Sequence, residues 1–329
     1  MATMTAVSCA TSVVAPELEG PADVASQIPL DAGQVQVADS GQVQASDSGR
    51  LVAVDAGEVV AADAGPPPEY LGGERQVQVL LPDAWNRNRR WPLVILLHGY
   101  SASGGGQDRY FGVSSRRNDF GFIALTPNGN RDRRGNRFWN ATSACCDFWR
   151  TRVDDLAYIR GLIAEAIDRL SVDPDKVYLI GHSNGGFMSN RIACDAAEDV
   201  TAILNVAGAS FNDESRCEPS RAVGYIQVHG TQDTVIRYPG GRLQAGGAYP
   251  GAEVLVDRWR TRNGCTETAS RGEGEDFDRA VPGAETTRTV WSECTGGKSV
   301  QLWTMEGTRH VPGFNNTFRD AIFEALLSY

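Results

Sequence analysis

From residue 76 onward the apolar positions fall into two alternating spacings. Short aliphatic, β-branched and aromatic runs occupy 76–81, 92–97, 122–125, 176–180, 202–206, 224–228, 286–291 and 300–305, and such runs predict strands. Between them, 153–170 places Leu156, Ile159, Ile163, Ile167 and Leu170 at helical spacing and stops before Asp173-Pro174. The segments 186–192, 251–262 and 316–327 read as further helices. Strands alternating with helices predict an α/β fold with a mostly parallel central sheet and helices on both faces.

The start of the chain has neither spacing. Residues 31–65 repeat an Asp-Ala-Gly or Asp-Ser-Gly unit every eight residues, at Asp31, Asp39, Asp47, Asp55 and Asp63, and the stretch ends in Pro66-Pro67-Pro68. Five copies without an aromatic residue cannot bury a core, so 10–70 reads as a disordered N-terminal spacer ahead of one domain at 71–329. A calcium-binding β-roll would need more glycines and acids in each repeat. Up to residue 70 there are ten acids and one base, Arg50, so −9 of the chain's net −10 lies there and the domain is nearly neutral. The acidity therefore says nothing about a substrate, and the balance argues against nucleic acid as a partner.

A local basic cluster does interleave with aromatics: Arg131, Arg133, Arg134, Arg137, Arg150 and Arg152 among Phe138, Trp139, Phe148 and Trp149. It reads either as a cap over a site, with Trp139 and Trp149 touching substrate, or as a solvated charged loop with a few anchoring rings.

The strand at 176–180 breaks at Gly181-His182-Ser183-Asn184-Gly185 and continues as a helix. A G-x-S-x-G pattern on a strand-to-helix turn puts a serine oxygen at the tip, with helix N–H groups aimed at the same place. Side chains at 181 and 185 would collide with neighbouring backbone, which calls for glycine. The competing reading is a glycine-rich loop with a buried serine.

A serine hydroxyl needs a base, and the base needs an orienting group. The chain has four histidines. His98 and His229 end strands and His182 adjoins the serine on the wrong side of the turn, which leaves His310 in the loop after 300–305. The acid is expected between serine and histidine. Asp233 fits best, just past a strand's carboxyl end; Asp213 and Asp257 are weaker candidates. The oxyanion donors are expected to be the backbone N–H groups of Asn184 and Tyr100, with Gly99 as runner-up for the second.

Six of the seven cysteines lie in the domain, an even number that fits an oxidising compartment. Chain order favours Cys194–Cys217 and Cys265–Cys294. It leaves the adjacent Cys145 and Cys146 as a vicinal bridge or as two buried thiols. No Cys/His spacing suits zinc and no run is long enough to cross a membrane, so neither a metal nor another cofactor is expected. Residues 1–9 have no basic region or full apolar core, but small residues before the lone Cys9 are similar to the tail of a lipoprotein signal. That makes Cys9 a candidate for lipidation and a membrane tether, and an extracellular or cell-surface monomer the expected state. A cytosolic start with an incidental Cys9 is the alternative.

Taken together, 75–329 resembles the α/β-hydrolase esterases grouped with polyhydroxybutyrate depolymerases and feruloyl esterases. The resemblance rests on Leu97-His98-Gly99, Cys145-Cys146, Val153-Asp154-Asp155, Asp173-Pro174-Asp175-Lys176-Val177-Tyr178 and Gly181-His182-Ser183-Asn184-Gly185-Gly186. It continues through His229-Gly230-Thr231-Gln232-Asp233, Tyr238-Pro239-Gly240-Gly241, Asn263-Gly264-Cys265 and His310. It implies an α/β-hydrolase fold and a secreted serine carboxylester hydrolase with Ser183 as nucleophile, Asp233 as orienting acid and His310 as base. The implied substrates are a polyester such as polyhydroxybutyrate, or feruloyl and acetyl esters of plant polysaccharide. Val311 stands where the family usually carries a tryptophan bordering the acyl pocket. Gly99-Tyr100-Ser101 also resembles the oxyanion turn of cutinase-like polyester hydrolases. A serine peptidase on the same fold and a non-catalytic surface-binding lipoprotein with a relict site are the rival readings.

Because a solvated repeat contributes no core, deletion of residues 1–68 should leave turnover of 4-nitrophenyl acetate and the melting temperature nearly unchanged. A large loss of either, measured side by side with the full chain, would show that the repeat packs on the domain.

Overall fold

The structure, a computed structural model, describes residues 65–329; Cys9, the segment 1–9 and nearly all of the repeat lie outside the described residues. In chain order the strands are β1 (Tyr70–Leu71), β2 (Val77–Leu80), β3 (Trp91–Leu97), β4 (Ile123–Leu125), β5 (Asn130–Arg131), β6 (Arg137–Phe138), β7 (Val172–His182), β8 (Ala202–Val206), β9 (Gly224–Gly230), β10 (Gly240–Arg242), β11 (Ala248–Pro250), β12 (Ser270–Glu275), β13 (Thr286–Trp291) and β14 (Val300–Met305). The α-helices are α1 (Gly104–Phe111), α2 (Val113–Phe120), α3 (Asp155–Leu170), α4 (Asn184–Asp195), α5 (Ala252–Arg262) and α6 (Asn316–Leu326).

Ten strands form one sheet in the order β1-β2-β4-β3-β7-β8-β9-β14-β13-β12. From β4 to β14 all neighbours are parallel; the strands added at either edge are antiparallel. This is the expected α/β-hydrolase architecture. β3 shows why its sequence reads as an unbroken apolar run. Leu93, Ile95 and Leu97 pack into the core beneath α3, α4 and α5, while Val94 and Leu96 pack into the core beneath α1 and α6. All five are fully buried, as a parallel strand covered on both faces requires.

Local signals fix the helix ends. The Asp154 carboxylate accepts from the Ala157 N–H at the start of α3, and the Asn315 side chain accepts from the Phe318 N–H at the start of α6. α1 and α2 escape the hydrophobic pattern because α1 opens with three glycines and α2 is almost wholly polar. Ser103 caps α1 through the Gly106 N–H, and a Cβ on Gly104 would fall 1.9 Å from the Thr126 carbonyl oxygen. The glycines thus let α1 lie directly on the loop after β4. The edge strand β12 is missed for a similar reason: Ser-Arg-Gly-Glu-Gly-Glu is almost wholly exposed and carries no apolar alternation.

Among the described residues there are three disulfides, Cys194–Cys217, Cys265–Cys294 and the vicinal Cys145–Cys146. The second ties the end of α5 to the loop between β13 and β14, across a sequence separation of 29. Loop-closure entropy assigns such a link about 3.5 kcal/mol. Replacing both Cys265 and Cys294 by Ser should therefore lower the melting temperature by roughly 10 °C in a domain of this size, read by calorimetry with and without reductant. An unchanged melting temperature would mean that the link does not restrain the unfolded chain.

Candidate active site

β3, β7, β9 and β14 run parallel and so end at one edge of the sheet, and the loop that follows each brings one part of the site. After β7 the chain turns sharply at Ser183, whose φ of 53° and ψ of −116° lie where a non-glycine residue is strained. The turn is held by the Ser183 N–H, which donates to the Val206 carbonyl on β8 at 2.9 Å. A Cβ at 181 would lie 2.2 Å from the Gly185 carbonyl oxygen, and one at 185 would lie 2.0 Å from that of Leu97. Both positions are therefore closed to any side chain, and α4 can start at Asn184 hard against β3.

The loop after β14 sets His310 against this turn. His310 Nδ1–H donates to Asp233 Oδ2 at 2.7 Å, and the Ser183 hydroxyl donates to His310 Nε2 at 3.0 Å. The donation to Asp233 fixes the tautomer in which Nε2 presents a lone pair to the serine. Asp233 follows β9 and its side chain is fully buried. Its Oδ1 accepts from the Val235 and Ile236 N–H groups at 2.8 and 2.9 Å. Burial alone would raise its carboxyl, but hydrogen bonds from His229 and His310 outweigh it and hold the group well below the usual carboxylate range. The two loops are also tied to each other, since the Gln232 N–H donates to the Thr308 carbonyl at 3.0 Å. The other acids lie elsewhere: Asp213 caps a short turn through Ser215, and Asp257 pairs with Arg260 on α5.

The loop after β3 lies against the serine, for a Cβ at Gly99 would sit 3.5 Å from that of Ser183. Gln107 Oε1 on α1 takes the Gly99 N–H at 3.1 Å, which rules Gly99 out as the free donor. Among the described residues nothing accepts from the Tyr100 N–H. The Asn184 N–H is the first of α4 and has no partner within the helix. The Asn184 side chain is bound on both sides by the Trp139 backbone, at 2.7 and 2.9 Å, which locks the start of α4. The Tyr100 hydroxyl donates to Asp132, fixing the loop from the outer side.

A cleft of about 570 Å³ contains Ser183, His310, Tyr100, Ser101, His182 and Val311. Val311 is 63% exposed on it. The two tryptophans expected to touch substrate do not line it. Trp139 is fully buried, with Nε1–H donating to the His98 carbonyl at 2.9 Å; it is an anchoring ring beneath the site. Trp149 is half-buried outside the cleft, with the guanidinium groups of Arg133 and Arg134 over its ring. Apolar character alone pointed to these residues, and an anchor and a substrate platform share that character. Conversely, α1 supplies Gln107 and Tyr110, whose hydroxyl donates to the Pro312 carbonyl at 2.8 Å and braces the His310 loop. Nothing in their spacing announces either role.

Three histidines support the site without facing the serine oxygen. His182 Nε2–H donates to the His310 carbonyl at 3.1 Å. Gln227 donates to His229 Nδ1 at 3.0 Å, and His229 Nε2–H faces Ile236 O at 2.7 Å and Asp233 Oδ2 at 3.3 Å. His98 donates from Nδ1 to Gly99 O at 2.8 Å and accepts the Gly129 N–H on Nε2 at 2.9 Å. Among the described residues no group of three or more His, Cys, Asp or Glu could hold a metal ion. A serine hydroxyl in line with an imidazole nitrogen, an ionised aspartate and two unclaimed N–H groups can together carry out acyl transfer.

The family model Esterase matches residues 69–211. Feruloyl esterase B of Piromyces equi is 29% identical over 246 residues, covering 73% of this chain and 43% of its own length. Feruloyl esterase D of Neurospora crassa is 27% identical over 253 residues, covering 73% of this chain and 75% of its own length. The chain thus spans less than half of the first relative and three quarters of the second. Among solved structures, an acetyl xylan esterase from Aspergillus awamori superposes with a TM-score of 0.54 at 16% identity, over 76% of this chain and 94% of that one. The chain is thus similar in sequence to esterases, and the superposition shows that it shares their fold.

Burial lowers the His98 and His182 pKa values from 6.5 to about 4, with the neighbouring Arg137 and Arg75 adding to the effect at His98 and His310 adding to it at His182. In the unfolded chain both titrate at the ordinary value, so between pH 6.5 and 4 the unfolded state binds more protons. Stability from these groups is complete above pH 6.5 and is lost as the pH falls toward 4. Each group contributes at most about 3 kcal/mol. Urea midpoints should fall steadily from pH 7 to pH 4.5. Equal midpoints across that interval would mean that the two rings are not buried neutral.

Proposed function

We propose that this α/β-hydrolase esterase hydrolyses carboxylic esters carried on plant polysaccharide, feruloyl or acetyl, through Ser183, His310 and Asp233. The observation that carries the reading is the continuous link from Asp233 through His310 to Ser183 on a strained turn, at 2.7 and 3.0 Å. His310 takes the proton of Ser183 as its oxygen bonds to the ester carbonyl carbon. The oxyanion then faces the N–H groups of Asn184 and Tyr100. His310 next gives the proton to the leaving alcohol, and water repeats the sequence on the acyl-enzyme to release the acid. Asp233 stays ionised throughout, which favours the imidazolium formed at each step.

The similarity to feruloyl esterases supports feruloyl esters over a polyester. The exposed Val311 puts a small side chain on the cleft, which suits an ester on a polymer. Three disulfides support an extracellular site of action. A relict site would be expected to have lost a member of the Ser-His-Asp link, and none is lost here.

Turnover of methyl ferulate and release of acetate from acetylated xylan, set against erosion of a polyhydroxybutyrate film, test the substrate. The polysaccharide-type esters should be hydrolysed and the film left intact; the reverse would move the reading to polyesters. Ser183→Ala and Asp233→Asn should each lower kcat by about 10⁴-fold or more, with circular dichroism unchanged. Near-full activity in Asp233→Asn would exclude Asp233 as the orienting acid.

A further inference from the structure

Arg131 and Arg137 line the same cleft as Ser183 and His310. They sit on the two-stranded β5–β6 hairpin, where their Cα atoms are direct cross-strand partners. Like charges directly opposite one another destabilise a strand pair, so the hairpin holds these two cations together at a cost to its own folding. Each spends part of its guanidinium on a backbone carbonyl: Arg131 Nη1 donates to Gly135 at 2.6 Å, and Arg137 Nη1 donates to Gly129 at 3.3 Å. Among the described residues neither forms an ion pair. Of the nearby acids, Glu74 lines an adjoining cleft with both arginines but is exposed and pairs with neither, and the buried ones are engaged elsewhere. Asp155 is paired with Arg75 at 2.7 Å, and Asp132 accepts from Tyr100 and from the Arg134 and Asn136 N–H groups. Burial and the positive charges of Arg131 and Arg75 pull the Arg137 pKa down, the signature of cations crowded without a counter-charge.

The hairpin is also registered against the site. The Ser101 N–H donates to the Arg137 carbonyl at 2.8 Å, and the Tyr100 hydroxyl reaches Asp132 between the two arginines in sequence. A group bound by the guanidinium pair is therefore fixed relative to the loop that carries the Tyr100 N–H. Two planar forks side by side match a carboxylate, which accepts bidentate hydrogen bonds.

The geometry points to an anion subsite: the natural ester carries a carboxylate that Arg131 and Arg137 bind while Ser183 faces the ester carbonyl. This inference rests on the ester-hydrolase reading and narrows its substrate to acidic esters. The carboxylate belongs either to the acyl part, as in a half-ester of a dicarboxylic acid, or to the alcohol part, as in an acetylated saccharide bearing a uronic acid.

Two arms separate these sources. The first compares 4-nitrophenyl hydrogen glutarate with 4-nitrophenyl pentanoate. The second compares acetylated glucuronoxylan with the same polymer after reduction of its carboxyl groups. In one arm the wild-type enzyme should favour the acidic member by about tenfold in kcat/KM, mainly through KM. The preference should shrink as salt is raised, disappear in the Arg131→Gln/Arg137→Gln double variant and invert in Arg131→Glu. Equal use of acidic and neutral members in both arms at low salt would overturn the subsite, as would a preference that salt and both variants leave intact. If the double variant does not fold, the wild-type salt dependence and Arg131→Glu decide. Failure of the wild-type enzyme to turn over any of the four substrates would instead overturn the ester-hydrolase reading itself.

Discussion

The turn at Ser183 is the constraint on which the rest of the site depends. Its backbone lies at φ 53° and ψ −116°, a conformation that costs of order 1–3 kcal/mol for a non-glycine residue. The surrounding sheet overdetermines it. β7 is pinned between β3 and β8, the Ser183 N–H is held by Val206, and α4 packs so close that positions 181 and 185 admit no side chain. Fully buried apolar residues on both faces of β3 and β7 supply the stabilisation, at roughly 1.5–3 kcal/mol for each large side chain. The strain is therefore a small term carried by a large core, and its effect is to stand one hydroxyl above the edge of the sheet.

Polarity beneath the site is organised with equal economy. The Asn205 side chain donates to Gln227 Oε1 at 2.7 Å, Gln227 donates to His229, and His229 faces Asp233, which in turn accepts from His310. Every member up to Asp233 is buried. A buried carboxylate without such donors would be driven toward its neutral form. The chain of donors keeps it charged, and that charge holds His310 in the tautomer that faces Ser183. Neutral His182 and His98, their pKa values lowered by burial, brace the neighbouring loops without adding a competing positive charge.

Much of this was legible in the sequence, because the relevant signals are local or are limited by scarcity. Strands at 202–206 and 300–305 coincide with β8 and β14, since a strand buried in a parallel sheet advertises itself as an apolar run, and 286–291 coincides with the antiparallel β13, marked by its β-branched and aromatic residues. Ser183 is marked by its own turn, and four histidines are few enough for elimination. What stayed hidden depends on long-range packing. α1 has a poor helix sequence and exists because its glycines fit the Thr126 carbonyl and its cap suits Ser103. Trp139 reads equally well as platform or anchor until its indole is seen against the His98 carbonyl. The face-to-face placement of Arg131 and Arg137 requires a hairpin register that the five intervening positions do not declare.

In the proposed reaction Ser183 alone among the hydroxyls is activated, by His310 held on Asp233. A fluorophosphonate tests it without any assumption about the natural ester, because the serine oxygen bonds to phosphorus as fluoride leaves. Intact mass followed by peptide mapping should show one phosphonyl group per chain, on Ser183, and none in His310→Ala over the same interval. Labelling at another residue, or equal labelling of the variant, would contradict the account.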